Sequence, residues 1–273
     1  MDWQTKRFVT VDDLWQSFVI HPKPDELVAY RGQPDISRRL HSSLDRILPR
    51  DMAYEARLAE EAAIIVKFCR LAEEFCDSIE KEYLQGPMPQ DRIKALPILR
   101  HYGAPTRLLD WTHSRRVALY FASIYEHDKD GAVWWFNQKA FYDKVDYMWK
   151  EHGLNRYVAL GNEVDLNDTA FNTNGPPWIS PLGCKVQFPR IEAQQGFFTI
   201  AGRLGLEHGD LIANLLDKRQ YGRIVVPALW KQKILDQLRN IGTHSKNLDY
   251  PGADFVGIDL TLDLRNKQEQ RCC

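Results

Sequence analysis

No window of this chain approaches the run of about 18 apolar residues that a membrane-spanning helix requires. Its amino terminus, MDWQTKRFVT, has acidic and bulky polar residues where a secretory signal needs an apolar core. The expectation is a soluble, cytoplasmic protein with no membrane attachment. Charge of one sign is lacking too: 36 Lys and Arg stand against 37 Asp and Glu, so bulk charge gives no footprint for nucleic acid. A local positive groove is still compatible with that balance, and Arg38, Arg39, Arg46 and Arg50 are candidates to line it, a solvated face being the alternative. The 5 cysteines include no C-x-x-C pair and no companion histidine at ligand spacing, which excludes a zinc ribbon and gives no disulfide framework. Cys69 and Cys76 fall in a helical pattern and read as buried thiols. Neither Gly-x-Gly-x-x-Gly nor a phosphate loop ending in Gly-Lys-Ser/Thr occurs, which argues against a doubly wound nucleotide fold or an NTPase. No acidic or histidine spacing suits a metal site, and no metal is expected.

What is present is a periodic, mixed α/β pattern. Residues 11–20 place Leu14, Trp15 and Phe18 on one helical face. A short apolar run at 27–30 reads as a strand that delivers Arg31 and ends at Gly32, where the backbone either turns sharply or is closely approached. Residues 52–83 read as one long helix with an apolar stripe through Leu58, Ala62, Ile65, Phe68 and Ala72. Further helices are expected at about 90–102 and 116–126, and GAVWWF at 131–136 is strongly β-prone. Residues 142–182, rich in Asn and Pro, read as an irregular surface insertion. Residues 184–200 then read as strand, turn and strand, 223–227 as a strand, 229–240 as a helix and 255–262 as a last strand. Early helices and late strands predict an α+β fold, a helical layer packed on a mainly antiparallel sheet, as a single domain over 1–273.

Two segments carry the candidate chemistry. Tyr30-Arg31-Gly32 ends the first buried strand with a guanidinium, which needs an anion or a carboxylate there. Either a phosphate or a salt bridge to Asp35, Asp45 or Asp110 answers that need. The second segment, 101–112 (HYGAPTRLLDWT), is the densest polar and aromatic cluster in the chain. Strand alternation puts Arg107, Leu109 and Trp111 on one face, with Leu108 and Asp110 on the other. Trp111 is positioned to stack on a flat ring, and Thr112 to cap the helix that follows. His101 reads either as a functional group or as an interior histidine, and Asp110 as a partner of Arg107 or Arg31.

Taken together, AYRGQ at 29–33, HYGAPTRLLDWTHSRRVALYFA at 101–122 and RIEAQQGFFTI at 190–200 resemble the FRG domain family, named for an aromatic-Arg-Gly motif. The similarity spans roughly 8–136 and 184–262. FRG domains occur in bacterial and phage proteins, including contexts that suggest defence or toxicity. Their motif order is also similar to that of mono-ADP-ribosyltransferases, which implies a split sheet of that type and NAD as cofactor. On that resemblance Tyr30, Arg31, Gly32, Arg107, Trp111 and Thr112 would bind the nucleotide, with Arg31 on its phosphates. Glu192, Gln194 and His101 are the candidate catalytic residues. The third motif has Glu192-Ala193-Gln194 where the family pattern ends in a catalytic acid, so an amide stands in the acid's place. Glu192 is then either a displaced catalyst or a solvated strand residue.

Three functions follow as expectations. One is an ADP-ribosyltransferase or NAD glycohydrolase acting on an unidentified macromolecular acceptor. Another is an inactive nucleotide-binding or protein-interaction module. The third is a hydrolase or nuclease using His101 and Asp110.

Overall fold

The computed structural model describes residues 3–21, 27–76, 78–85, 92–151, 170–171, 177–184, 186, 188–244 and 248. The continuous apolar run GAVWWF at 131–136 sets the plan. Ala132, Trp134 and Phe136 enter one buried cluster, while Val133 enters a second. A strand that buries side chains on both faces must be covered on both.

Seven strands supply that sheet: β1 (Thr5–Lys6), β2 (Val28–Gln33), β3 (Leu108–Thr112), β4 (Gly131–Asn137), β5 (Ile179–Leu182), β6 (Gly196–Ala201) and β7 (Tyr221–Val226). Their order is β1-β7-β4-β2-β3-β6-β5. Every neighbouring pair is antiparallel except β1 with β7. In chain order the helices are α1 (Val11–Trp15, continued by a π-helical turn Gln16–Ile20), α2 (Ser43–Ile47), α3 (Tyr54–Phe75), α4 (Ser78–Tyr83), α5 (Arg92–His101), α6 (Arg115–Ser123), α7 (Gln138–Glu151), α8 (Pro189–Ala193), α9 (His208–Leu215) and α10 (Lys231–Asn240).

The mixed α/β class and the mainly antiparallel sheet are as the sequence predicts. A single helical layer is not: helices cover both faces. The first cluster packs α3, α5 and α7 on Ala29, Trp111, Trp134 and Phe136. The second packs α1, α6 and α10 on Tyr30, Val133 and Ile224. Among the described residues no helix is long and apolar enough to cross a membrane.

Several boundaries differ from the sequence reading. The long helix ends at Phe75, where Cys76 takes extended backbone, and restarts as α4. Residues 142–151 belong to α7, whose Phe141, Val145 and Trp149 are buried at four-residue spacing. The density of Asn and Pro further on masks that stripe. Residues 179–182 are strand β5, and the rest of the expected insertion, 152–169 and 172–176, lies outside the described residues. Residues 189–193 form helix α8 rather than a strand. Pro189 sits at its first turn, where a missing N–H costs nothing, and Glu192 complements the positive end of its dipole. Gln195, at φ 48°, then reverses the chain into β6. The expected strand at 255–262 lies outside the described residues.

One pairing positions the site. β2 joins β4 through 6 consecutive register pairs, and β3 joins β6 through 5, but β2 and β3 meet only at Tyr30 opposite Thr112. The sheet therefore forks beyond that pair, with Arg31 and Gly32 on one arm and Trp111 and Asp110 on the other. Helix α6 lies against the fork. A Cβ on Gly32 would sit 2.0 Å from the Ala118 carbonyl oxygen, so the close approach that Gly32 permits is that of the α6 backbone.

Candidate functional site

Where the ladder stops, Asp110 loses the β2 backbone as a hydrogen-bond donor, and a buried carbonyl must find another. Arg31 Nη1 supplies it, donating to the Asp110 carbonyl oxygen at 2.7 Å and reaching Asp110 Oδ2 at 3.4 Å. The guanidinium thus bridges the two arms of the fork. Arg100, in the last turn of α5, meets the same carboxylate as a fork. Its Nε donates to Oδ1 at 3.0 Å and its Nη2 to Oδ2 at 2.9 Å.

The electrostatics follow from that geometry. Burial by itself raises the Asp110 pKa, yet the charges of Arg100 and Arg31 outweigh it and hold the carboxyl far below the usual range. Burial pulls the Arg31 pKa down, and Asp110 opposes this. The Arg31 Nε is buried with no partner among the described residues. Arg46 is pulled down by burial and then by the like charges of Arg31 and Arg100, which puts it in the same positive field.

Arg31, Arg100 and Asp110 form the floor of a cleft of about 280 Å³. Val117, Phe121 and Tyr125 line one wall at four-residue spacing along α6 and just beyond it. Arg38 and Arg190 also border it, Arg38 in an ion pair with Glu126. The cleft is cationic on one side and aromatic on the other.

Of the sequence-predicted residues, Tyr30, Arg31, Gly32, Trp111, Thr112 and Gln194 border this cleft. Their individual environments differ from expectation in several cases. Trp111 turns its indole into the core, edge-on to Phe136, with Nε1 donating to Thr199 Oγ1 at 3.0 Å, so it offers no ring for stacking. Phe121 and Tyr125 hold the aromatic position instead. Thr112 does not cap α6. Its hydroxyl donates to the Gln194 carbonyl and accepts from the Ser114 amide, while Ser114 is the cap. Tyr30 Oη accepts from Arg115 Nε at 2.8 Å. Gln194 Nε2 donates to the Leu248 carbonyl at 2.7 Å.

Arg107, His101 and Glu192 are not among the residues that line the cleft. Arg107 is 1% exposed, paired with Glu61, and donates to the Ala170 and Gly202 carbonyls. His101 stacks on Phe188 at 3.8 Å between ring centroids. Burial and then the Arg190 charge push its imidazole down to about 4. Asp110 spends its oxygens on Arg100 and Arg31 rather than on a histidine, which removes the basis for a His101–Asp110 hydrolytic pair. Glu192 is exposed on α8, a helix where a strand was expected.

Arg100 and Arg190 are the residues that sequence reading missed. Arg100 had a signal: it stands in the last turn of a helix that leads directly into the strand carrying Asp110. Among the described residues no group of His, Cys, Asp and Glu is arranged to hold a metal ion.

Residues 26–131 match the family model of the FRG domain. The matched span contains β2, β3 and α6, and with them Arg31, Arg38, Arg100, Asp110 and the aromatic wall. Arg190 and Gln194 come from beyond the matched span, on α8 and the turn after it. No curated protein and no solved structure matches the chain.

Proposed function

We propose that the cleft at the fork binds a nucleotide through its phosphates, with NAD the first ligand to test. The observation that carries this reading is the convergence of Arg31 and Arg100 on a single carboxylate at the floor of the cleft. Arg38 and Arg190 stand beside them. Planar guanidinium forks match phosphate oxygens in pairs, and Phe121 and Tyr125 supply a surface on which a base packs. Asp110 serves as an internal counter-ion that keeps the arginines together when no phosphate is bound.

Calorimetric titration with ADP-ribose and NAD tests this directly. Both are expected to bind, and Arg31→Ala is expected to weaken them by about 1.5–3 kcal/mol, roughly 10- to 150-fold in Kd. No binding by the wild type, or undiminished binding by Arg31→Ala, would overturn the reading.

A second reading, cleavage of NAD as an ADP-ribosyltransferase or glycohydrolase, is favoured by one observation. Asp110 is a carboxylate at this same cleft, and a phosphate that drew Arg31 and Arg100 away from it would leave a negative charge free to favour a developing ribosyl cation. On this reading Asp110, not Glu192, carries the charge. Nicotinamide release, assayed with a protein acceptor present, separates a binder from an enzyme.

A further inference from the structure

A second cavity of about 780 Å³ lies on the other side of Tyr30, larger than the cleft at the fork. It is framed by β1, the π-helical turn, β2, β4 and the start of α6, and Tyr30 borders both cavities. Its volume falls within the roughly 300–1,000 Å³ of small-ligand sites.

We infer that this groove is a separate binding site for a planar aromatic anion of mononucleotide size. Three observations carry the assignment. Its basic side chains are Lys6, His21 and Arg115, with no carboxylate among the described residues that line it. The Arg115 guanidinium is fixed rather than roaming: Tyr30 Oη accepts from its Nε at 2.8 Å, and it lies 5.6 Å from the Phe18 ring centroid and 5.5 Å from that of Tyr30. A cation held in one orientation loses less entropy on meeting an anion. Finally, Trp135 is opposite Gly222 in the β4–β7 ladder, where a Cβ would come within 3.0 Å of the indole. The glycine lets that indole lie against the sheet, and its side chain lines the groove as a flat surface for a ring.

The groove does not depend on the cleft at the fork for its cations or for its aromatic surface. The two assignments therefore fail separately.

Equilibrium dialysis with labelled AMP on the whole chain provides the test. The wild type should bind two AMP per chain. Trp135→Leu and Lys6→Glu should each weaken one of them by at least tenfold and leave the other, which Arg31→Ala removes. Lys6 is exposed, so its substitution keeps the test informative if Trp135→Leu fails to fold. One AMP per chain, lost in Lys6→Glu but kept in Arg31→Ala, would support the groove and sink the reading of the cleft. One AMP unaffected by either groove variant would overturn the inference. So would displacement of AMP from the groove by inorganic phosphate as effectively as by unlabelled AMP, since the ring would then contribute nothing.

Discussion

Arg107 is a buried, structural arginine, and removing it is the sharpest check on the geometry. Its guanidinium and the Glu61 carboxylate are 1% and 2% exposed. Two contacts join them, Nε to Oε1 at 2.7 Å and Nη2 to Oε2. Breaking a buried pair by deleting one partner leaves an uncompensated charge and costs about 3–5 kcal/mol. The two single variants differ in what they strand. Arg107→Met leaves Glu61 without its partner and also takes the donor from the Ala170 and Gly202 carbonyls, so it belongs at the upper end. Glu61→Gln leaves Arg107 those two carbonyls and an amide oxygen, so it belongs at the lower end. At roughly 2–4 °C per kcal/mol, the expected loss in Tm is roughly 6–20 °C. The double variant Glu61→Met, Arg107→Met should be more stable than Arg107→Met alone, because no charge remains buried. Urea melts give the stabilities, and calorimetry with ADP-ribose at a temperature where each variant is folded gives the binding. Folded Arg107→Met protein with wild-type stability and lost ADP-ribose affinity would refute the reasoning.

Two further tests address local claims. Gly32→Ala should destabilise the fold by about 1–3 kcal/mol or more in urea melts, because its Cβ would meet the Ala118 carbonyl oxygen at 2.0 Å and force α6 off β2; wild-type stability would mean that α6 is not seated where described. His101 has its pKa lowered in the fold to about 4, against about 6.5 when unfolded. Its contribution is therefore fully present above about pH 6.5 and is lost as pH falls towards 4. His101→Phe should flatten that part of the stability–pH profile, and an unchanged slope would count against a buried, neutral imidazole.

The strands were legible where β-prone apolar residues run together and the helices where apolar residues repeat every three or four positions. GAVWWFN gave β4, and the Leu14, Trp15 and Phe18 spacing gave the first helix. Period alone did not say that both sheet faces are covered, since that requires knowing which of Val133 and Trp134 faces which layer. RIEAQ was misread because its composition was judged as part of a motif. Pro189 in the first turn, with an acidic residue close behind, is a helix-start signal that outranks that assignment.

The site was legible as motif ends but not as a circuit of charges. Arg31 next to glycine showed that a guanidinium had to be neutralised, and Asp110 was among its possible partners. Nothing local showed that β2 and β3 part after a single pair, and that parting is what makes the site. A continuous ladder would have satisfied the Asp110 carbonyl from the backbone and closed the gap. With the strands apart, the carbonyl accepts its hydrogen bond from Arg31, the carboxylate is met mainly by Arg100, and a cleft remains between the strands. Tertiary geometry also exchanged the aromatic roles. Alternation sends Trp111 inward because Asp110 faces the gap, so the ring surface comes from Phe121 on α6 and Tyr125 just beyond its end. On the proposed reading, a phosphate entering this cleft would meet a pair of arginines already assembled around a carboxylate. Its affinity then depends on how far it outcompetes Asp110 for them, rather than on the number of arginines nearby.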